Sequence, residues 1–280
     1  MSNPNLNISP QLRKNSVIIQ VLTCSKSPKA RLVSAQQQLE KFLPDIPVSI
    51  VMGYVASDNE VHRIYSPSLN RRLMKRPLTE AEIAIYAGHR KAMAEFLKSP
   101  YEATLILEDD FKIVTPDIIK LSVELAPELL NGTRNIVKLF DFQPKKTCKE
   151  PIYRETVKGI SLVKYKSPRA GMVAYLISRE GAENFLARSS VFRMVDEDIK
   201  YFWELDLDIW SIPENPVTDN SDRLGGSLVD EERQYARRQK TICRSVYGNI
   251  LTIHRKFKTF LENIKYCKSK SRTSQETGTN

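Results

Sequence analysis

Cysteine is scarce in this chain and poorly spaced for chemistry: Cys24, Cys148, Cys243 and Cys267 are the only four, and no two form a C-x-x-C pair. Zinc sites and disulfide frameworks of the usual spacing are excluded on that ground, and reduced thiols are the expectation. Long apolar runs are also missing. The longest, 170–177, has eight residues with Gly171 counted in, against the roughly 20 that a membrane-crossing helix needs. Neither common Gly-rich phosphate loop is present, and no internal repeat is found. Ten Gly and fifteen Pro are too few for a collagenous or linker-dominated chain. The opening residues MSNPNLNISPQLRKNS lack the basic-then-apolar order and small-residue cleavage site of a secretory leader, so a cytoplasmic location is expected.

What is present looks globular. Of the 280 residues, 27% are charged and 41% hydrophobic, which suits one large domain or one domain with an appendage. The net charge of +10 is unevenly spread. Residues 231–280 hold twelve Lys or Arg against four acids, a surplus of eight, so the rest of the chain is near neutral. Such segregation suggests that one end meets an anionic surface. A protein that coats nucleic acid more often spreads its charge over a folded face.

Ser16 to Leu22 is short, β-branched and apolar, and reads as a buried strand. Ser27-Pro28 then offers an N-cap and a first-turn proline for a helix carrying Leu32, Ala35, Leu39 and Phe42. With a second strand over Val48 to Val55, this is the opening of a parallel α/β sheet. Residues 56–78 show no period and read as a long loop. Thr79 and Glu82 form a capping box, with Leu78 and Ile83 as its staple, and predict a helix to about Lys98. Ala103 to Leu107 is another buried strand, ending directly in Glu108-Asp109-Asp110. Further strands are expected at Ile136 to Phe140 and Met172 to Ile177, with a helix at Arg179 to Ala187. Trp203 to Trp210 alternates as a half-exposed strand would. Ile250, Ile253, Phe257, Phe260, Leu261 and Ile264 predict an amphipathic helix with Lys and Arg around it. The same stripe would serve an interfacial membrane anchor or packing on the domain.

Adjacent carboxylates repel, and ligands of open α/β sheets bind at the carboxyl ends of the strands. Glu108, Asp109 and Asp110 therefore read either as a solvated turn or as oxygen ligands for a hard divalent cation, Mg2+ or Mn2+. The literal D-x-D at Asp206 and Asp208 reads as the solvated side of a strand and not as a metal site.

The stretch Leu78 to Lys112, LTEAEIAIYAGHRKAMAEFLKSPYEATLILEDDFK, resembles the hallmark of glycosyltransferase family 25, with Leu78, Thr79, Glu82, Ile83, His89 and Leu105 to Asp110 in register. Val21 to Leu39 (with Arg31 and Gln38), Gly171 to Leu186 and Val195-Asp196 resemble the family more loosely. Ala84-Ile85 and Gly88 stand where the family usually has Gly-Cys and Ser. The resemblance spans about residues 16–217. It implies a GT-A-like α/β fold with a mostly parallel central sheet. It also implies an inverting transfer from a nucleotide sugar, most simply galactose from UDP-galactose, onto an oligosaccharide acceptor on the lipid A core.

Under that resemblance the metal falls to Asp110 with Asp109 or Glu108 assisting, and Glu82, His89, Arg90, Glu108 and Asp109 become donor-binding candidates. Glu82 also has its capping role, and His89 is equally readable as a satisfied structural histidine. Tyr86 lies between them on one helix face, so all three are expected to point into one site. Asp196, then Asp198, is the candidate base for the acceptor hydroxyl. Arg90 and Lys138 are candidates to meet phosphate, and Tyr201, Phe202 and Trp203 read as core or as a platform for an acceptor sugar.

The expected organisation is a flexible 1–15, a GT-A-like domain over 16–230, a basic helical extension over 231–267 and a disordered tail over 268–280. The extension would sit peripherally on anionic lipid at the inner face of the bacterial inner membrane. Two competing readings are a basic nucleic-acid-binding protein without catalysis and a sugar-binding relative without turnover. The intact Glu108-Asp109-Asp110 argues against the second.

Overall fold

The computed structural model describes residues 16–131, 134–143, 151–226 and 242–276, with side chains along the last helix described over 246–268. The expected flexible N-terminus, residues 231–241 of the basic extension, the last four residues of the tail and Cys148 lie outside these.

Strand β1 (Val17–Thr23) pairs in parallel with β2 (Val48–Met52) on one side and β3 (Ala103–Glu108) on the other, in the registers Ile19↔Val48 and Leu22↔Glu108. Helix α1 (Lys29–Phe42) makes the crossover from β1 to β2. Beyond β3 the direction changes: β8 (Ala174–Ser178) inserts antiparallel between β3 and β5 (Ile136–Lys138). Next come β9 (Ile209–Ser211), parallel to β5, and the antiparallel hairpin β6 (Pro151–Val157) and β7 (Ile160–Tyr165). The eight-stranded sheet runs β2-β1-β3-β8-β5-β9-β7-β6, and β4 (Phe111–Ile113) pairs with β10 (Val217–Asp219) apart from it.

Both faces of the sheet are covered, which is why its strands are near-continuously apolar. Val17, Ile19 and Val21 of β1, with Leu105 and Leu107 of β3, pack toward Ala35 and Leu39 of α1 and Ile119 and Val123 of α5 (Pro116–Glu124). Leu22, Ile106, Tyr175 and Ile177 face the other way. They meet Ile83, Tyr86, Met93 and Phe96 of α4 (Glu80–Leu97) and Ala182 and Phe185 of α7 (Arg179–Leu186). The capping box at Thr79 and Glu82 starts α4 as expected.

Four expectations change. Residues 56–78 are not one loop: α2 (Asn59–Ile64) and α3 (Pro67–Leu73) form there, each too short to show a period, the second capped by Ser66. Trp203 to Trp210 is not a strand. A 3-10 segment runs to Glu204, Asp206 turns the chain at φ 49°, and only Ile209–Ser211 pairs. The hairpin β6–β7, closed by Lys158-Gly159 at positive φ, and α5 were not foreseen. The last helix, Ile242–Glu276, passes through most of the expected tail, because residues 268–276 contain no Gly or Pro to stop it.

Gly181 in the first turn of α7 allows that helix to lie against β5. A Cβ there would sit 2.7 Å from the Asn135 carbonyl oxygen and 3.0 Å from Asn135 Cβ. The first of these neighbours is backbone and cannot swing aside. Gly181→Ala should therefore destabilise the fold by about 1–3 kcal/mol, read as a lower urea midpoint at unchanged slope.

Candidate functional site

Parallel pairing brings the carboxyl ends of β1, β2 and β3 to one edge of the sheet, and the antiparallel β8 brings Met172 and Val173, just before its start, to that same edge. A cavity of about 200 Å³ opens there. Its wall includes Thr23, Arg31, Glu108, Asp109, Asp110 and Asp196.

The three consecutive acids have separate environments. Asp109 has donors on both oxygens: its Oδ2 accepts from the hydroxyls of Thr23 and Ser27, and its Oδ1 accepts from Arg31 Nη1 at 3.3 Å. Ser27 is thus not the N-cap of α1. Pro28 takes that position, and the serine hydroxyl serves Asp109 instead. Asp109 lines the cavity with both oxygens already engaged by donors, so any ion it helped to hold would share those oxygens with Thr23, Ser27 and Arg31.

Asp110 differs. Its Oδ2 lies 3.0 Å from Arg31 Nη1, while its Oδ1 is buried with no hydrogen-bond partner among the described residues. Burial first, then the charge of Glu108, push its pKa up to about 7 against the pull of Arg31, with Asp219 and Asp109 adding to the rise. Asp219 has no signal in the sequence. The β4–β10 ladder opposes it to Phe111, Asn220 N–H donates to the Asp110 carbonyl at 2.8 Å, and its side chain reaches the cavity wall.

Glu108 lines the cavity, and His89 stands behind it. The imidazole is wholly buried, with Nε2 3.1 Å from Glu108 Oε1 and Nδ1 3.0 Å from Tyr175 Oη. His89 is therefore not a wall residue that could touch a nucleotide directly. The expected convergence of Glu82, Tyr86 and His89 is also absent. Glu82 reaches the wall but accepts from both Arg76 amino groups, at 2.7 and 2.5 Å, and from Thr79 N–H, while Tyr86 donates to Asp198 Oδ2 at 2.7 Å.

Arg31 is the hub of the wall. Besides Asp109 and Asp110 it reaches the carbonyls of Leu224 at 3.2 Å and Gly226 at 2.5 Å. Arg90 lies elsewhere, donating to the Arg188 and Leu186 carbonyls at the end of α7, so its role in donor binding is not supported. Lys138 is wholly buried against Asp141 and the Arg169 carbonyl. Asp196 reaches the cavity, with its Oδ1 accepting from Gly171 N–H at 2.9 Å.

Asp198 does not reach it. It is buried, accepts from Tyr86 and from Arg193 at 3.0 Å, and pairs with Arg188, so its candidacy as a base is corrected to a structural one. Asp208 pairs with Lys164 and accepts from Trp210 Nε1, so an ion pair, and not solvation, engages the second acid of the D-x-D. Tyr201 packs under Arg193, and neither it, Phe202 nor Trp203 lines the cavity.

The profile of glycosyltransferase family 25 (LPS biosynthesis protein) matches residues 22–200. No curated protein matches the chain. Among solved structures, A197 from STIV is similar at 16% identity over 70% of this chain and 80% of that one, with a TM-score of 0.38. A mannose-1-phosphate geranyltransferase from Thermus thermophilus is similar at 12% identity over 70% and 73%, TM-score 0.34. A glycosyltransferase involved in glycosylation of the major capsid of PBCV-1 is similar at 10% identity over 79% and 99%, TM-score 0.33.

Asp110 keeps its proton to about pH 7 in the folded protein, against an ordinary 3.8. Folding thus favours the protonated form, and this contribution is complete below the ordinary value and lost as pH rises through about 7. With chelator present, Asp110→Asn should melt roughly 2–4 °C above the wild type at pH 8, and the gap should close toward pH 4. Differential scanning calorimetry across that range measures it.

Proposed function

The chain belongs to glycosyltransferase family 25, and from that premise we propose that it transfers galactose from UDP-galactose, with inversion, to an oligosaccharide acceptor on the lipid A core. The observation that carries the reading is the buried Oδ1 of Asp110 at the carboxyl end of β3, which has no hydrogen-bond partner among the described residues.

That oxygen suits a hard divalent cation, Mn2+ or Mg2+. Among the described residues no three His, Cys, Asp or Glu side chains form a ready-made metal cage. Asp110 would hold the ion, with Asp219 and Glu108 nearby and the remaining positions left to phosphate oxygens and water. When bound, the ion supplies counter-charge for the departing diphosphate. Arg31, already at Asp110, adds fixed positive charge on the same side.

Asp196 is the base. One of its oxygens is held by Gly171 N–H, which leaves the other to accept the proton of the acceptor hydroxyl. As that proton leaves, the hydroxyl oxygen bonds to the anomeric carbon on the face opposite UDP, the carbon–oxygen bond to the diphosphate breaks, and the configuration inverts. Asp198, neutralised by two arginines, is unsuited to this step. A non-catalytic nucleic-acid-binding role gains nothing from this site, whose wall carries six acids, Glu82, Glu108, Asp109, Asp110, Asp196 and Asp219, beside Arg31.

The C-terminal helix supports attachment to the acceptor's membrane. We label it α9 (Ile242–Glu276), after the short helices α6 (Ala126–Leu129) and α8 (Val195–Asp198). Its amphipathicity is inverted. Thr259 and Asn263 are buried against the body, Asn263 donates to the Lys166 carbonyl, and Tyr266 lies under Lys164. Val246, Ile250, Ile253, Phe257, Phe260 and Ile264 face outward. Lys256, Lys258, Lys265 and Lys268 are exposed beside that stripe. An apolar stripe rimmed by cations fits anionic lipid, with the chain resting peripherally on the inner face of the membrane. Among the described residues no helix is long and apolar enough to cross it.

Release of UDP from UDP-galactose in the presence of acceptor and Mn2+ tests the reaction. Asp110→Asn should abolish the metal-dependent rate. Asp196→Asn should lower kcat by about 10²–10⁴-fold while UDP still binds. Full activity in both variants would overturn the assignment. For the membrane contact, Ile253→Glu with Phe257→Glu should cut co-sedimentation with phosphatidylglycerol vesicles by about tenfold or more, whereas equal binding would remove the anchor.

A further inference from the structure

His89 and Tyr175 are wholly buried, yet their hydrogen bonds end at a carboxylate in the cavity wall. Resting on the function proposed above, we infer that Tyr175 and His89 form a positioning relay which aims Glu108 at a hydroxyl of the bound nucleotide sugar.

The polarity of the relay follows from its chemistry. A carboxylate only accepts, so in the neutral ring His89 Nε2 carries the hydrogen toward Glu108 Oε1 at 3.1 Å. Nδ1 is then a lone pair, and the Tyr175 hydroxyl at 3.0 Å donates to it. Burial and the charge of Glu108 push the Tyr175 pKa well above its ordinary value, so that hydroxyl keeps its proton. Donation runs one way, from Tyr175 on β8 through His89 on α4 to Glu108 at the end of β3. Three elements thereby fix one side chain.

A histidine that merely satisfied itself in the core would end on a backbone carbonyl or on another buried group. Here the final acceptor keeps 29% of its side chain accessible, in the cavity and two residues before Asp110. His89 holds Oε1, and Oε2 has no hydrogen bond to any described residue. A carboxylate so placed repels phosphate and accepts from hydroxyls. The proposed donor offers hydroxyls on its ribose and on its hexose, and the relay acts on whichever one Glu108 meets. Tyr175 and His89 do not touch the ligand and are positioning residues.

The test measures binding of UDP and of UDP-galactose by titration calorimetry with Mn2+, together with KM and kcat. His89→Leu should weaken donor binding about ten- to a hundredfold, matching Glu108→Gln, with kcat changed far less. His89→Gln, whose amide can replace the Nε2–H donor, should recover most of the loss, and Tyr175→Phe should show a smaller one. The double variant His89→Leu/Glu108→Gln should be no worse than either single, because both remove one interaction.

Weakened binding of UDP and UDP-galactose alike identifies ribose, and weakened binding of UDP-galactose alone identifies the hexose; either supports the relay. Unchanged donor affinity in His89→Leu, or strictly additive losses in the double variant, overturns it. Should His89→Leu fail to fold, His89→Gln and Tyr175→Phe decide: a tighter or unaltered KM in Tyr175→Phe, or no retained affinity in a folded His89→Gln, counts against it. A wild-type protein that binds no uridine nucleotide would instead overturn the function proposed above.

Discussion

Like-charge repulsion at the end of β3 is the constraint around which the site is built. Three consecutive carboxylates cannot all be charged and unpaired near one another in a partly buried place. Each is relieved differently. Asp109 receives two hydroxyls and a guanidinium, Glu108 receives an imidazole from behind, and Asp110 shares Arg31 and holds its proton to about pH 7. Because these partners come from β1, the turn before α1, α1 itself and α4, the acidic motif fastens four parts of the fold to one point. Arg31 extends the arrangement to the carbonyls of Leu224 and Gly226, so the chain beyond β10 is held by the charge that balances the acids.

The C-terminal helix is attached by a different kind of contact. Its inner face relies on hydrogen bonds and cation–ring contacts, with Asn263 on the Lys166 carbonyl, Tyr266 on Lys164 and Arg255 near Tyr201 and Glu197. Lys164 also pairs with Asp208, so the acid that superficially completes a metal motif helps seat the helix. Tyr266 also packs against the core and edge-on to Tyr153, while most of the large apolar residues of α9 stay on the outside.

Features set by near neighbours in the chain were readable from sequence. The β1–α1–β2 unit, the Thr79/Glu82 capping box and the placement of the acids at a strand end depend on residues a few positions apart. Distant partners were not readable. Nothing near Ser27 shows that its hydroxyl will leave the helix end for an aspartate 82 positions away, and Asp219 joins the wall only because β10 pairs with β4. The alternation from Trp203 to Trp210 is real, since Leu205, Leu207 and Ile209 are all buried, but positive φ at Asp206 turns it into a bend. His89 was singled out by its family context, while its direction depended on β8, an antiparallel strand whose place in the sheet has no local sign.

Gly171 has φ +110°, and a Cβ there would fall 2.9 Å from the Phe140 ring. Its N–H is the group that orients Asp196. Any other side chain would meet both an aromatic wall and an unfavourable backbone, so this codon has no neutral neighbours through which a lineage could drift. A change at Gly171 would need room from Phe140 and a rearranged backbone at once, which couples the orientation of Asp196 to the aromatic packing behind it.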